Sequence, residues 1–390
     1  MTSTSTETPG TAAPRLDMDA LLANRGTGII VCCGSGGVGK TTTAAALALR
    51  AAEQGRRVCV LTIDPARRLA QSMGLEHLDN VPRVVPDVDL TAGGLLEAMM
   101  LDMKRTFDET VETHAAPDQA RAIFANPFYQ SMSSSFTGTQ EYMAMEKLGQ
   151  LRAQADVDGR WDLIIVDTPP SRSALDFLDA PQRLGSFLDG RTIKLFLAPA
   201  RLGGRTYLRV FNAGVWAMSG IMNRVFGAQI LTNVQSLIAA LDTIFGGFRE
   251  RAELTYAHLQ APGTQFLVVA TPEPDALREA AYFTQRLEQD RMTLAGLVLN
   301  RVHTTDAPNL TVERSLMGAQ NLADLPEHGL TERILRVHAQ RMQRIGQETH
   351  LTQHFKAGFP HVPIARAAAQ ATDVHDLNGL RSLGTSLAAG

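Results

Sequence analysis

Cysteine is scarce in this chain of 390 residues: Cys32, Cys33 and Cys59 are the only three, and all lie in apolar runs that read as buried strands. With no CxxC pair and no even framework, a metal cluster and a disulfide scaffold are both excluded. Small core side chains in a reducing compartment remain. Charge of one sign is lacking too. A formal net charge of −3 leaves no electrostatic footprint for nucleic acid or for an anionic membrane. No window reaches the uninterrupted apolar length of a membrane span. The opening "MTSTSTETPGTAAP" has neither a basic start nor an apolar stretch, so it reads as a disordered tail, taken to residue 25, and not as a secretion signal. The expected location is cytoplasmic.

What is present is globular: 44% hydrophobic and 20% charged residues, enough for one large α/β domain with an insertion. From Gly28 the pattern is strand, glycine loop, alanine-rich helix, strand. "GIIVCC", "RVCVLTIDP", "WDLIIVDTPP", "TQFLVVATPEP" and "LAGLVLNRVH" are short apolar runs, and "FPHVPIA" adds a last candidate. Buried strands alternating with amphipathic helices such as "DALREAAYFTQRLEQD" predict a doubly wound, mainly parallel sheet. Two stretches, about 93–154 and about 180–259, carry no clear strand pattern and are predicted to form a helical subdomain inserted in a core running from 26 to 390. One glycine loop with no later repeat argues against a tandem duplication.

Gly34, four residues, then Gly39-Lys40-Thr41 satisfies G-x-x-x-x-G-K-[ST] between a strand and a helix. Gly36, Gly37, Val38, Gly39 and Thr42 would offer backbone N–H groups to phosphate, at a helix N-terminus whose dipole favours an anion. Lys40 would reach the β- and γ-phosphates and the Thr41 hydroxyl would bind Mg²⁺. Asp167, just beyond "LIIV", is placed to hold the same ion. Asp64 ends the second strand and has two compatible readings, orienting or deprotonating an attacking water, or capping the helix "PARRLAQSMG". Asn300, at the end of "LVLN", has the donors and acceptors for adenine's edge or for an ordinary strand-end turn. No NKxD-type guanine signature follows it, which favours ATP over GTP.

Together "GSGGVGKTTTA", "TIDPARRLA", "VDTPPSRSALDFL", "ATPEPDALREA" and "LVLNRV" resemble, in order, the motifs of the ArsA-type ATPases. That family includes arsenite-pump ATPases and targeting factors for tail-anchored membrane proteins. The chain looks most like its actinobacterial members, which occur as paired paralogues. The resemblance implies a P-loop ATPase fold and a phosphate loop from Gly34 to Thr42, with Thr41 on Mg²⁺. It implies a water-activating Asp64 in switch I and a γ-phosphate sensor beginning at Asp167 and running to Arg172. It also implies adenine contacts from Asn300, a loop near Pro363 covering the base, and a dimer that ATP closes.

Two departures matter. The family's first loop lysine, which crosses to the partner's phosphates, is Ser35 here, and a serine is too short and uncharged for that crossing. Arg67, Arg68 or Arg172 supplies the charge, or a lysine-bearing paralogue does so in a heterodimer, or the loop is simply degenerate. Zinc-binding and arsenite-binding thiols are also missing, which argues against arsenite transport. The segment Phe211–Phe248 contains only Arg224 and Asp242 as charges, so it is either a groove for a hydrophobic or membrane-protein client or packed core, and Met99, Met100 and Met103 invite the same two readings. A weakly hydrolysing regulatory subunit is the first rival function. A ParA/MinD-like positioning ATPase is the second, disfavoured by the neutral charge and the lack of a basic amphipathic end in "DLNGLRSLGTSLAAG".

Overall fold

The computed structural model describes residues 14–64, 68–127, 129–130, 139–169 and 250–389. These fall into two compact units, one built from the segments up to Met99, from Gly159 and from Leu259 to the C-terminus, the other from Met100–Asp158 and the segment ending at His258.

The first unit is an 8-stranded sheet in the order β3-β4-β2-β5-β1-β6-β7-β8. The strands are β1 (Ile29–Cys33), β2 (Arg57–Thr62), β3 (Arg83–Val84), β4 (Leu95–Met100), β5 (Leu163–Asp167), β6 (Thr264–Ala270), β7 (Leu294–Val302) and β8 (Ile364–Ala368). β1, β2 and β5 to β8 pair in parallel, and β3 pairs with β4 antiparallel. Each of the six strands expected from the apolar runs is present. They are continuous hydrophobic runs because helices cover both faces of a parallel sheet. β1 lies between β5 and β6, so the connections leave it in opposite directions and open a crevice at its C-terminal end.

The helix that follows, α2 (Lys40–Glu53), is buried nearly all round: Ala44, Ala45, Ala46, Leu47, Ala48 and Leu49 are closed off from solvent. Alanine on most of its faces lets neighbours approach. The C-terminal helix Leu377–Ala389 packs on α2, with Gly384 placed so that a Cβ would stand 3.4 Å from the Ala46 carbonyl oxygen. Arg56 anchors the opposite end of the sheet. Fully buried, it donates to the carbonyls of Leu22, Asn24, Thr27 and Asp162 and to the Asp162 carboxylate at 2.7–3.1 Å.

Three expectations are corrected. Residues 14–25, read as part of a disordered tail, are folded. Arg15 bridges to Ile364, and α1 (Met18–Ala23), capped by the Asp17 carboxylate, buries Met18 and Leu22. The insertion does not begin at residue 93, because 95–100 is strand β4, in which Leu96, Ala98 and Met99 are core residues. β3 went unread as well. Met99 is therefore part of the sheet core and not the wall of a groove.

The second unit is helical where described: α4 (Met103–His114), α5 (Pro117–Phe124) and α6 (Thr139–Asp158), following α3 (Arg68–Ser72) of the first unit. Tyr129 packs edge-on to Phe107 and donates to Asp108 at 2.6 Å. Met143, Met145, Leu148 and Leu151 are buried. The apolar segment 211–248 lies outside the described residues. No helix among the described residues is long and apolar enough to cross a membrane.

Candidate functional site

β1 delivers the chain into the glycine loop at the crevice. Gly34 and Gly39 have φ of 146° and 95°, conformations that suit glycine, and space forbids side chains at both. A Cβ on Gly34 would meet the Val269 carbonyl oxygen at 2.1 Å, and one on Gly39 would meet the Asn300 amide nitrogen at 2.3 Å. Gly37, with φ of 78°, has nothing within 4 Å of its Cβ position. The loop thus presents backbone on its open side and is packed hard against β6 and β7 on the other.

Lys40, the first residue of α2, is buried and donates from Nζ to the Ser35 carbonyl at 2.9 Å. Burial lowers its pKa from the usual lysine value, and the charges of Asp167 and Asp64 work against that. The Thr41 hydroxyl donates to Asp167 Oδ2 at 2.7 Å, and Thr62, the last residue of β2, donates to the same oxygen at 2.8 Å. Asp167 is fully buried, and burial raises its pKa to about 6 despite the two hydroxyls and Lys40. Its Oδ1 is buried with no hydrogen-bond partner. An orphaned carboxylate oxygen beside a threonine hydroxyl is a hard-oxygen donor set that fits Mg²⁺.

The Thr62 hydroxyl also accepts the Asp64 backbone N–H at 3.3 Å, so Thr41, Asp167, Thr62 and Asp64 form one connected run. Asp64 reaches the cavity wall together with Arg68. The described part of α3 begins at Arg68, and residues 65–67, with them Arg67 and any capping by Asp64, lie outside the described residues, as does Arg172. Asn300 is buried at the end of β7. Its amide donates to the Val38 carbonyl at 2.9 Å and accepts the Arg301 N–H at 2.9 Å, where Arg301 has φ of 58°. The side chain therefore pins the phosphate loop, with one N–H and one lone pair remaining at the cavity wall.

Pro363 is misplaced by the sequence reading. It precedes β8, whose residues Ile364 and Ala368 stand beside Leu297 and Val302 of parallel β7, so Pro363 lies at the end of the sheet away from the glycine loop. The loop at the ligand edge is the one that follows β8, through Gln370, Asp373 and His375. Strand direction alone would have found it, since parallel strands present ligands at their C-terminal ends.

The cavity these groups share has a volume of about 1560 Å³, larger than a typical small-ligand site. The long helix α9 (Gly329–Gly358), which comes after α7 (Pro274–Gln289) and packs on α8 (Val312–Leu322), completes it and brings Arg344 and Glu348 to the wall. Glu348 accepts both the backbone N–H of His303, at 2.9 Å, and a contact from its ring at 2.6 Å. No motif in the sequence had pointed to these residues. Cys32 and Cys33 sit beneath the loop, and burial pushes the first thiol well above its usual value and the second to about 12, so neither is a reactive thiolate.

A glycine loop at the switch point of a parallel sheet, with a buried lysine, a threonine and a buried aspartate converging on it, defines a P-loop nucleotide-binding α/β protein. Within that class, the family of anion-transporting ATPases, the ArsA ATPases, matches residues 27–317, and the chain belongs to it. An ATPase ASNA1 homolog of Cryptosporidium parvum is 24% identical over 269 residues, 69% of this chain and 63% of that protein. An arsenical pump-driving ATPase of Acidiphilium multivorum is 31% identical over 160 residues, 40% of this chain and 26% of that protein. An ATPase GET3 of Malassezia globosa is 28% identical over 155 residues, 40% of this chain and 43% of that protein. The matched region spans less than two thirds of each of these relatives.

Proposed function

We propose that this chain is a Mg²⁺-dependent ATPase whose hydrolysis is coupled to the approach of two subunits and to movement of the helical unit. The observation that carries the reading is Asp167: buried, bonded to Thr41, and left with an unpartnered oxygen beside the phosphate loop. Thr41 and Asp167 would hold Mg²⁺, which supplies charge neutralisation at the phosphate oxygens. Lys40 would leave the Ser35 carbonyl for the β- and γ-phosphates, while the N–H groups of Gly36 to Thr42 cradle the chain. Asp64 would align and deprotonate the attacking water, and the hydroxyl of Thr62 ties its backbone to Asp167. Asn300 would keep the loop in register and lend its remaining N–H and lone pair to the adenine edge.

The charge that Ser35 lacks has two sources that suit this site. One is Arg68, on the same cavity wall as Asp64; the other is a lysine from a paralogous partner. The composition of 211–248 supports a hydrophobic client. Phosphate release by the purified chain tests the central reading. It should require Mg²⁺ and vanish in Lys40→Ala, and release that persists in that variant would refute it. A second reading, a regulatory subunit that binds ATP and scarcely hydrolyses it, is favoured by Ser35. Single-turnover measurements separate the two, because that subunit would bind ATP and leave it intact.

A further inference from the structure

At the ligand edge of the sheet the pairing of β7 with β8 slips. Leu299 stands beside Arg366 and Val302 beside Ala368, so two residues of β7, Asn300 and Arg301, face the single residue Ala367. That is a β-bulge, which bends a strand and re-aims its side chains. Asn300 turns to the phosphate loop. Arg301 takes φ of 58°, a left-handed conformation that glycine adopts freely and arginine only with strain. The backbone around it is fastened. The Arg301 N–H donates to the Asn300 amide oxygen at 2.9 Å, the Val302 carbonyl accepts from Ala369 at 2.9 Å, and Glu348 holds the His303 N–H at 2.9 Å.

The Arg301 side chain has no such tie. It is exposed, lines the nucleotide cavity, and makes no hydrogen bond or ion pair among the described residues. Its neighbours on the wall are otherwise engaged: Arg344 lies 3.5 Å from Glu348, and Lys40 holds the Ser35 carbonyl. The bulge also stands on the side of the loop away from the phosphates. Across the planar Val38–Gly39 peptide, the carbonyl that Asn300 binds points opposite to the N–H offered to phosphate. A free, rigidly mounted guanidinium in that place is suited to a flat aromatic face. We infer that Arg301 stacks on the base of the bound nucleotide, its guanidinium plane on the purine face while Asn300 meets the edge. This rests on the proposed reading that ATP occupies the phosphate loop.

Arg301→Gly removes the guanidinium and suits the backbone, so it separates binding from folding. Calorimetric titration of the full purified chain in Mg²⁺ would compare ATP with inorganic tripolyphosphate, which has the phosphates and no base. The variant should bind ATP about tenfold more weakly, change less than about twofold for tripolyphosphate, and melt no lower than wild type. Arg301→Asn, whose side chain also tolerates this φ, should repeat the pattern. Equal weakening for both ligands would assign Arg301 to the phosphates and overturn the inference. So would a variant that melts lower than wild type, because the side chain would then be holding the fold. ATP bound as tightly by the variants as by wild type removes the base contact alone, whereas a wild-type chain that binds neither ligand removes the nucleotide reading with it.

Discussion

Replacing Asp167 by asparagine should make the nucleotide-free protein more stable. The side chain is fully buried, and burial lifts its pKa from an ordinary 3.8 to about 6 although Thr41, Thr62 and Lys40 all favour the charged form. At about 1.4 kcal/mol per pKa unit, the ionised carboxylate costs the folded state about 3 kcal/mol. The sign follows from proton binding. Between the unfolded and folded pKa values the native state holds more protons, so the native state loses stability as pH rises from about 4 to 6 and none of it returns above that. The amide introduced by Asp167→Asn is nearly isosteric with the carboxylate and carries no charge, so the variant escapes this loss. Thermal unfolding without nucleotide should therefore show the two proteins matching near pH 4 and the variant melting several degrees higher near pH 8. Added Mg²⁺ and ATP should reverse the order, raising the melting temperature of the wild type and leaving Asp167→Asn unchanged. A variant that melts lower than wild type at pH 8 would refute the reasoning, because it would mean that the two hydroxyls and Lys40 already compensate the charge.

Asp64→Asn should retain ATP binding, read by fluorescent-nucleotide displacement, and lose turnover; simultaneous loss of both would assign Asp64 to structure. Gly39→Ala must place a side chain at φ 95° and drive it against the Asn300 amide, breaking the bond to Val38. A loss of about 1–3 kcal/mol in urea unfolding is expected. Arg56→Met takes the donor from the buried carbonyls of Leu22 and Thr27, and a loss of about 3 kcal/mol or more should appear in the same assay with little effect on nucleotide affinity.

The parts of the fold that were legible are those where local pattern and tertiary environment agree. β1, β2, β5, β6 and β7 are apolar runs because the sheet is covered on both faces, and the glycines of the loop announce a backbone approach that the structure enforces at Gly34 and Gly39. β4 was not legible, because "LLEAMM" is made of strong helix formers. Tertiary contacts override that preference: Glu97 is buried in the strand and satisfied by Arg160 at 2.6 and 2.9 Å and by the Trp161 indole at 2.7 Å. Residues 14–25 were hidden by the Ser/Thr-rich stretch before them, although Met18 and Leu22 stand one helical turn apart. The error at Pro363 is of another kind. Its place over the base came with the resemblance, and the parallel direction of β8 overrides it.

The bridge that Arg15 makes to Ile364 bears on how the protein keeps to itself. β8 closes one margin of the sheet, and an open margin is a row of unpaired backbone groups that invites a strand from another molecule. Here the carbonyl of Pro14 and the N–H of Leu16 occupy the Ile364 backbone at 3.0 and 3.2 Å, so the chain covers the start of that margin itself. At the far side the terminal strand β3 is only two residues long, too short a template for pairing. Residues 14–16 thus guard the start of β8 against strand addition, and a truncation that removes them would free it without touching the nucleotide site.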